Sequence, residues 1–433
     1  MPGRGESVHR RGRKERKGKT VMPGPSDIEI VCADEDAFGY ATFQSHNQKV
    51  VRNRNGIFMT YLKKRLNPEY TAQQWRLMRS VDGGETFSVL FEATDATNPP
   101  VLETDEADNI YLARPDFVDR NAYLYRFLAS DGYARPHISK IEKGSAGKYC
   151  MMYDRARGQL YYFAHNNTFH IVGLDGTVRR SGTIMEKGAT ACLQYPHLSL
   201  DLDGTLHAAW TTNKNDEYLY TDIHYMKSVD GGETWRKMDG TPLDLPIVAD
   251  YHGAADQINL DDEYDYHTWL SSFMVKAGKL HFVYKYTAPG DAARQHYVRY
   301  DLKTGRREID LWPEFKGETI SLNNMDGFFA SRASEPGSPL YCILTQDGRI
   351  ACLRSDDNGE TWHDHAVSSR RFGVNEKMNN PYSVGGCREV TEDGWVIGSF
   401  TDRIPDPGQT ADLTAPGASA PVYFFRFRAN LKG

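Results

Sequence analysis

The octapeptide Ser80-Val-Asp-Gly-Gly-Glu-Thr-Phe87 decides the fold, because it returns twice further along the chain. The later copies are Ser228-Val-Asp-Gly-Gly-Glu-Thr-Trp235 and Ser355-Asp-Asp-Asn-Gly-Glu-Thr-Trp362. The shared pattern is an Asp-box, in which Asp and Gly make a tight turn between two strands and the carboxylate accepts hydrogen bonds from turn amides. We expect the terminal aromatic ring to pack against the neighbouring sheet. Such turns mark β-propeller blades and carry no catalytic group.

A second repeat, weaker in its letters, predicts the number of blades. Seven short runs of β-branched and aromatic residues each follow a turn, as strands do. Their equivalent anchor residues are Ile57, Ile110, Leu160, Leu206, Leu280, Leu340 and Trp395, at spacings of 53, 50, 46, 74, 60 and 55. These blade-sized periods predict an all-β fold, a seven-bladed β-propeller over residues 27–433. The C-terminal run 422–428 should close the ring by pairing with a strand near 28–31, because an open propeller exposes two strand edges.

Composition agrees with a single all-β domain. The chain has 433 residues with 38 Gly, 20 Pro and 12% aromatic residues. It contains no run near the roughly 18 apolar residues that a membrane helix needs, so no membrane partner is expected. The six cysteines, at positions 32, 150, 192, 342, 352 and 387, have no CxxC spacing, and we expect reduced core residues. No motif requires a cofactor.

The N-terminal segment differs in charge from the rest. Its first twenty residues hold eight Lys or Arg and two Glu, about +6, which leaves about −12 elsewhere to reach the net charge of −6. Residues 1–22 are expected to be a basic disordered tail, or to precede a true start at Met22; a nucleic-acid arm is the less favoured interpretation. The segment lacks the apolar stretch of a secretory signal, which favours a cytoplasmic location.

The longest anchor spacing indicates an insertion between the fourth and fifth blades, at residues 238–266. Long loops on a rigid scaffold often carry function, so the insertion is interpreted either as a lid over a central site or as decoration. Its acidic run, Asp261-Asp-Glu-Tyr-Asp265, could hold a structural calcium ion or form a solvated face.

Candidate site residues precede the anchors, because the innermost strands of a propeller converge on its axis. A ring of polar side chains there indicates ligand binding. The catalytic candidates are His46, Tyr195 and His197. The candidates for binding substrate are Gln48, Asn98, Lys148, His267, Asp326, Asn380, Tyr382 and Arg388. By contrast, His207 and His281 directly follow anchors, where other blades have Phe or Tyr, so each should fill a structural slot.

A resemblance extends this interpretation. Residues 195–207, 218–235 and 240–246 resemble the BNR-repeat proteins of the sialidase-like superfamily, and most of all the branch that contains ulvan lyases and rhamnose–glucuronate lyases. The clear likeness covers residues 195–250. It implies a polysaccharide or oligosaccharide partner. The oligomeric state and any metal requirement are not fixed by these motifs.

Three functions fit these residues. A polysaccharide lyase that cleaves a uronate bond by β-elimination needs a carboxylate-neutralising group, a base and an acid, which His46, Tyr195, His197, Lys148 and Arg388 could supply. A sialidase-like or other exo-acting glycoside hydrolase is the first alternative, but the Arg-Ile-Pro motif of sialidases belongs in the first blade and Arg403-Ile-Pro405 falls in the last. A non-catalytic glycan-binding propeller is the second, with aromatics such as Trp75 and Tyr264 stacking on sugars.

Overall fold

The chain forms a ring of seven antiparallel sheets, as the anchors predict. The structure is a computed structural model that describes residues 25–67, 69, 71–217, 219–260, 263, 267–287, 294–320, 327–372, 381–403 and 419–430. Segment 1–22 lies outside this range. None of the described helices is long and apolar enough to cross a membrane.

The strands of blades 1 to 4 follow in chain order. Blade 1 comprises Val50–Asn53, Gly56–Arg65, Gln73–Ser80 and Ser88–Ala96. Blade 2 comprises Val101–Thr104, Ile110–Asp116, Asn121–Phe127 and Pro136–Ile141, with a 3-10 turn at Ala129–Asp131. Blade 3 comprises Tyr149–Asp154, Gln159–Ala164, Thr168–Gly173 and Val178–Thr183. Blade 4 comprises Ala191–Leu200, Leu206–Lys214, Tyr220–Ser228, Trp235–Arg236, Pro242–Leu243 and Asp256–Gln257.

The remaining blades complete the ring. Blade 5 comprises His267–Lys276, Lys279–Thr287, Arg294–Asp301 and Arg307–Leu311. Blade 6 comprises Phe328–Ser331, Leu340–Gln346, Arg349–Ser355, His363–Val367 and Ser26–Asp27. Blade 7 comprises Tyr382–Gly386, Trp395–Thr401, Ala420–Arg428 and Glu29–Ala37. Two small ribbons pair Met185–Lys187 with Ile247–Ala249 and Glu314–Phe315 with Glu318–Thr319.

The first strand of each blade is the innermost one, and these strands contact one another around the axis. All seven anchors lie in second strands. Because the strands alternate in direction, the innermost strands all begin at one end of the ring, which we call the top face. The turns after the first and third strands lie at the opposite end, the bottom face. Those predicted polar residues that the structure describes therefore belong to the top face and the tunnel below it.

The N-terminal strand closes the ring, which confirms the predicted pairing. Glu29–Ala37 is the outer strand of blade 7 and pairs antiparallel with Ala420–Arg428, in the register Ile30 opposite Phe425. Ser26–Asp27 adds a parallel strand to blade 6. The N-terminal segment thus joins blade 6 to blade 7.

The three Asp-boxes share one geometry on the bottom face. In the second box the Ser228 hydroxyl donates to Asp230 Oδ1 at 2.7 Å, and the Thr234 amide donates to the same oxygen at 2.9 Å. Trp235 is fully buried and meets the ring of Phe169, in the preceding blade, edge-on at 5.5 Å. Phe87 packs likewise on Phe424 of blade 7, and Trp362 on Tyr297 of blade 5. Each box therefore joins its blade to the preceding blade.

The described part of the insertion packs along blade 4. Ile247–Ala249 pairs with Met185–Lys187, Asp256–Gln257 pairs with the third strand, and Ile247 and Ala249 join the apolar core between blades 3 and 4. Residues 261–262 and 264–266 lie outside the described residues. A lid over the central site therefore stays a prediction that residues 238–260 do not support.

The predicted calcium site also lacks support. Of the acidic run, Glu263 is described, and it accepts hydrogen bonds from His296 and Tyr284, each at 2.7 Å. Among the described residues, no group of three or more His, Cys, Asp or Glu side chains could hold a metal ion.

Several predicted burial assignments can be checked directly. His207 and His281 are buried, and each bonds a tyrosine hydroxyl of its own blade, Tyr225 at 2.6 Å and Tyr297 at 2.9 Å, as expected of structural slots. The cysteine prediction is wrong in part, because Cys32 is exposed and Cys192 is partly exposed, although all six are free. Trp75 is fully buried in the core, so it is unavailable for sugar stacking.

Candidate functional site

A short segment crosses the top of the tunnel and brings the predicted residues together. Residues 44–49 connect the outer strand of blade 7 to the innermost strand of blade 1. The Gln44 side chain donates to the Gly147 carbonyl at the start of blade 3. The Ser45 carbonyl lies so close to Gly385 of blade 7 that a Cβ there would approach it to 2.5 Å. Glycine at position 385 thus lets the segment lie against blade 7.

His46 lies at the centre of this segment and reaches blade 4. Its ring is 4.5 Å from the ring of His197 and 5.7 Å from that of Tyr195, which it meets edge-on. Both ring nitrogens are screened from solvent and lack a well-formed hydrogen bond to any described residue, although the main chain of Tyr149 is near enough to raise the pKa slightly. Burial, with the neighbouring His197 and Lys49, holds the pKa of His46 well below 6.5. The imidazole is therefore neutral and able to accept a proton.

A bulge in the first strand of blade 4 positions Tyr195. Pro196 has no amide hydrogen for the ladder, and the strand register shifts between Gln194 and His197. Tyr195 takes a φ of 47°, in the left-handed region that non-glycine residues rarely adopt. Bulges re-aim side chains, and here the ring comes to lie beside His46. Strain of this kind, held by the surrounding sheet, is typical of functional sites.

His197 is held more firmly than a catalytic base needs to be. Its Nδ1 lies 2.8 Å from the Tyr195 carbonyl and its Nε2 lies 3.4 Å from the Ser271 carbonyl. Burial lowers the pKa of His197 to about 4. A neutral ring can donate only one of these hydrogen bonds. With both nitrogens facing main-chain carbonyls, His197 is better placed to fix the Tyr195 bulge and support His46 than to contact substrate.

Lys148 supplies positive charge on the blade 3 side of His46. Its ammonium group lies 5.4 Å from the centre of the Tyr195 ring, a cation–π arrangement. Burial lowers its pKa. It forms no ion pair with any carboxylate of the described residues. Asn98 lies beside it and donates to the Gly147 carbonyl at 2.8 Å. Lys148 is thus a cation without a countercharge, beside a neutral imidazole and a phenol.

Lys49 is a residue of the site that the sequence interpretation missed. It is buried, and its ammonium group donates to the carbonyls of Gln44 and Asn47, on either side of His46. Burial lowers the pKa of Lys49 to about 7. By bonding to both carbonyls, Lys49 stabilises the turn that presents His46.

An aromatic cluster, buried at Tyr220 and partly exposed at Trp269 and His267, continues the site over blades 4 and 5. The Tyr220 ring lies 5.7 Å from that of Tyr195 and 4.6 Å from that of Trp269, and His267 adjoins both Tyr220 and Trp269. Lys285 places its ammonium group 5.2 Å from the centre of the Trp269 ring. Aromatic faces beside cations suit the ring of an acidic sugar. His267 was predicted, and Trp269 could have been, since it lies two residues later on the same strand face.

Three further predicted residues lie elsewhere in the ring. Gln48 donates to Glu103 at 3.2 Å and accepts from the Arg388 amide at 3.0 Å, while Arg388 forms an ion pair with Glu103. Burial raises the pKa of Glu103, and Arg388 opposes that effect. These groups satisfy one another inside the tunnel. Tyr382 packs on Tyr40, with the Arg403 guanidinium 4.0 Å from its ring centre.

The structure therefore brings together His46, Tyr195, His197, Lys148 and Asn98, with His267 adjoining them through Tyr220. Gln48 and Arg388 form a tunnel network, and Tyr382 belongs to a separate stack. Asp326 and Asn380 lie outside the described residues. Chemically, the central group offers a neutral base, a phenolic acid and an unpaired cation.

Comparison with known proteins gives the fold an independent test. Residues 141–312 match a family described as a BNR repeat-containing family member. The structure is similar to an ulvan lyase of polysaccharide lyase family PL25, with a TM-score of 0.59, 10% identity, and coverage of 90% of this chain and 94% of that one. This lyase is also known bound to GlcA(1-4)Rha3S.

A second lyase, Uly1, is similar with a TM-score of 0.54 and 10% identity, covering 93% of this chain and 100% of that one. No curated protein matches the chain in sequence. The predicted likeness to BNR-repeat propellers and ulvan lyases is confirmed. At this level of identity the structural likeness establishes the fold, and function has to be argued from the site.

Proposed function

We propose that this propeller is a carbohydrate-active enzyme, a polysaccharide lyase that cleaves a uronate-containing glycan by β-elimination at the top face. The observation that carries the proposal is the unpaired Lys148 beside neutral His46 and Tyr195. A half-buried ammonium group without a carboxylate partner favours an anionic ligand, and the sugar carboxylate would supply the missing countercharge.

Each group then has a role in the elimination. Lys148, assisted by Asn98, binds the carboxylate and stabilises the negative charge that develops as the C5–H bond breaks. His46 accepts the C5 proton, the C4–O bond breaks as the C4=C5 double bond forms, and the Tyr195 hydroxyl protonates the leaving oxygen. Loss of the proton from His46 and uptake of a proton by the Tyr195 oxygen, both by exchange with solvent, then restore the two groups. Substrate must displace a neighbouring side chain to reach His46, whose nitrogens are covered in the free protein.

The site is less suited to a hydrolase with two catalytic carboxylates. Such an enzyme places one carboxylic acid and one carboxylate on either side of the scissile bond. Within the part of the chain that the structure describes, the buried tunnel carboxylate of Glu103 is already paired with Arg388 and hydrogen-bonded by Gln48. A base of the imidazole type and an unpaired cation serve an elimination directly. The similarity of the fold to two polysaccharide lyases supports the same choice.

The test is product chemistry on a panel of polymers. Purified protein is incubated with ulvan, with other uronate polysaccharides and with a neutral arabinan, while ultraviolet absorbance and reducing ends are followed together. A lyase produces new reducing ends with matching absorbance from the C4=C5 bond. New reducing ends without absorbance would indicate a hydrolase. Binding without either signal would indicate a glycan-binding propeller, and both results would contradict the proposal.

A further inference from the structure

A second feature of the top face lies outside the central group. It is a shallow groove between blades 2 and 3, lined by Phe117, Arg120, Lys143, Ser145 and Asn166. The groove is formed where the turns after the second strands of blades 2 and 3 flank the connection that leads into blade 3. We call it the outer groove.

The outer groove combines two cations with an exposed ring. Arg120 and Lys143 are both exposed, and neither forms an ion pair with any described residue. The nearby Asp119 carboxylate instead bonds the Tyr123 hydroxyl. Phe117 is 40% exposed, which is high for so large an apolar side chain. A sugar ring that stacks on Phe117 could present an anionic group to either cation.

The groove is held in shape by side-chain bonds to its main chain. The Asn121 side chain accepts a hydrogen bond from the Lys143 amide at 3.0 Å. Asn166 donates to the carbonyls of Lys143 at 2.7 Å and Ser145 at 3.0 Å. These bonds fix the backbone of the loop that carries Lys143, so a ligand need not order it on binding.

The groove adjoins the central site at Gly147. A Cβ at Gly147 would lie 3.4 Å from His165 and 3.6 Å from Phe117. Gly147 therefore lies between the exposed Phe117 ring and His165 of blade 3. Its carbonyl accepts hydrogen bonds from Gln44 and Asn98, and the next residue is Lys148. His165 joins the same path, with its Nδ1 accepting from the Lys148 amide at 3.0 Å. The groove that carries Lys143 and Arg120 thus adjoins the main chain beside Lys148.

We propose that the outer groove is a binding subsite for an anionic sugar residue of the same polymer whose scissile bond occupies the central site. The inference rests on the proposed function for its ligand class. It adds that the chain leaves the centre across blades 2 and 3, and that Arg120 and Lys143 bind a carboxylate or sulfate there while Phe117 stacks on the sugar ring. Substrate should therefore bind more tightly as chain length increases.

The experiment measures binding separately from turnover. A His46→Ala background prevents consumption of the ligand, and the Arg120→Ala/Lys143→Ala double variant is compared with it by calorimetry. The matched control is Lys303→Ala/Arg306→Ala, which removes the same charge from an exposed bottom-face turn. Ulvan and desulfated ulvan distinguish sulfate from carboxylate as the bound anion. A disaccharide fragment serves as the short ligand, which we expect to occupy the central site alone.

We expect the double variant to bind ulvan about tenfold more weakly, with a smaller dependence on salt, while the control binds as before. Phe117→Ala should also weaken binding, without changing the salt dependence, and the disaccharide should lose less affinity than the polymer. Equal polymer affinity in the double variant and the control would overturn the subsite, even if the enzyme proves to be a lyase. Weakened binding in the double variant, together with no unsaturated product from the unsubstituted protein, would uphold the subsite and reject the proposed chemistry.

Discussion

Replacing Trp235 by Ala tests how the Asp-boxes stabilise the ring. The side chain is fully buried between blades 4 and 3, edge-on to Phe169 at 5.5 Å. A buried tryptophan removes about 150–250 Å² from water, worth roughly 4–6 kcal/mol at about 25 cal/mol per Å². The indole N–H has no hydrogen-bond partner among the described residues, which offsets part of that gain. We therefore expect a loss of about 4 kcal/mol, within the roughly 3–5 kcal/mol found for such truncations.

The assay is urea unfolding followed by tryptophan fluorescence and circular dichroism, with a thermal scan beside it. For about 400 residues the unfolding entropy is roughly 0.8 kcal/mol per kelvin, so the melting temperature should fall by about 5 °C. The Trp235→Phe variant should lose much less unfolding free energy, because it keeps a ring against Phe169 and removes the unbonded N–H. Trp362→Ala should also lose less, since that ring is partly exposed.

Stability and activity should separate in these variants, because the boxes lie on the bottom face. The folded fraction of Trp235→Ala should retain wild-type turnover. An inactive protein with an unchanged melting temperature would refute a structural role for Trp235, as would a stability loss no larger than that of Trp362→Ala.

Other expected outcomes concern buried charges. Arg388→Ala leaves Glu103 unpaired in the tunnel. The free energy of unfolding should fall by an amount near the low end of the roughly 3–5 kcal/mol for a broken buried pair, since Arg388 is partly exposed. Adding Glu103→Gln should recover much of this loss in urea unfolding, and no recovery would contradict the pairing. Burial lowers the pKa of His296, but hydrogen bonds to Glu263 and Asp310 more than offset this and raise it overall. The stabilisation that protonated His296 gives the fold is fully present below its unfolded pKa and is lost as pH rises through its folded pKa. His296→Gln should therefore lower the free energy of unfolding more at pH about 6 than at pH about 9. The reverse order in the unfolding curves would contradict this. Lys49→Met should loosen the turn around His46 and lower turnover while changing the melting temperature little. Lys49→Arg should restore less than full activity. Wild-type turnover in Lys49→Met would exclude a positioning role.

The fold was predictable because its signals are local. Each Asp-box makes its own turn bonds within a few residues, as Ser228, Asp230 and Thr234 do, and each anchor begins a second strand. Such patterns survive in the sequence whatever the rest of the chain does. The closing strand was predictable for a related reason, since an unpaired edge at residues 420–428 needs a partner.

The site was predictable only where it depends on the innermost strands. His46, Tyr195 and His197 converge because first strands begin together at the axis. The path of residues 44–49 across the tunnel could not be predicted from the sequence. This path determines both the burial of Lys49 and the separation of Gln48 from His46. Tyr220 begins a third strand, so it is not among the innermost-strand residues that precede the anchors. In the insertion, the turn-forming and acidic residues do not predict against which blade the loop packs.

Turnover of His46→Ala and Tyr195→Phe, on whichever uronate polymer yields the unsaturated product, tests the top-face lyase site most directly. His137→Ala is the matched control, because this histidine is exposed on the outer strand of blade 2. Removing a positioned base or acid should lower turnover by about 100-fold or more, with the fold retained by circular dichroism and the control unaffected. Near-wild-type turnover in both His46→Ala and Tyr195→Phe would show that the chemistry takes place elsewhere on the propeller.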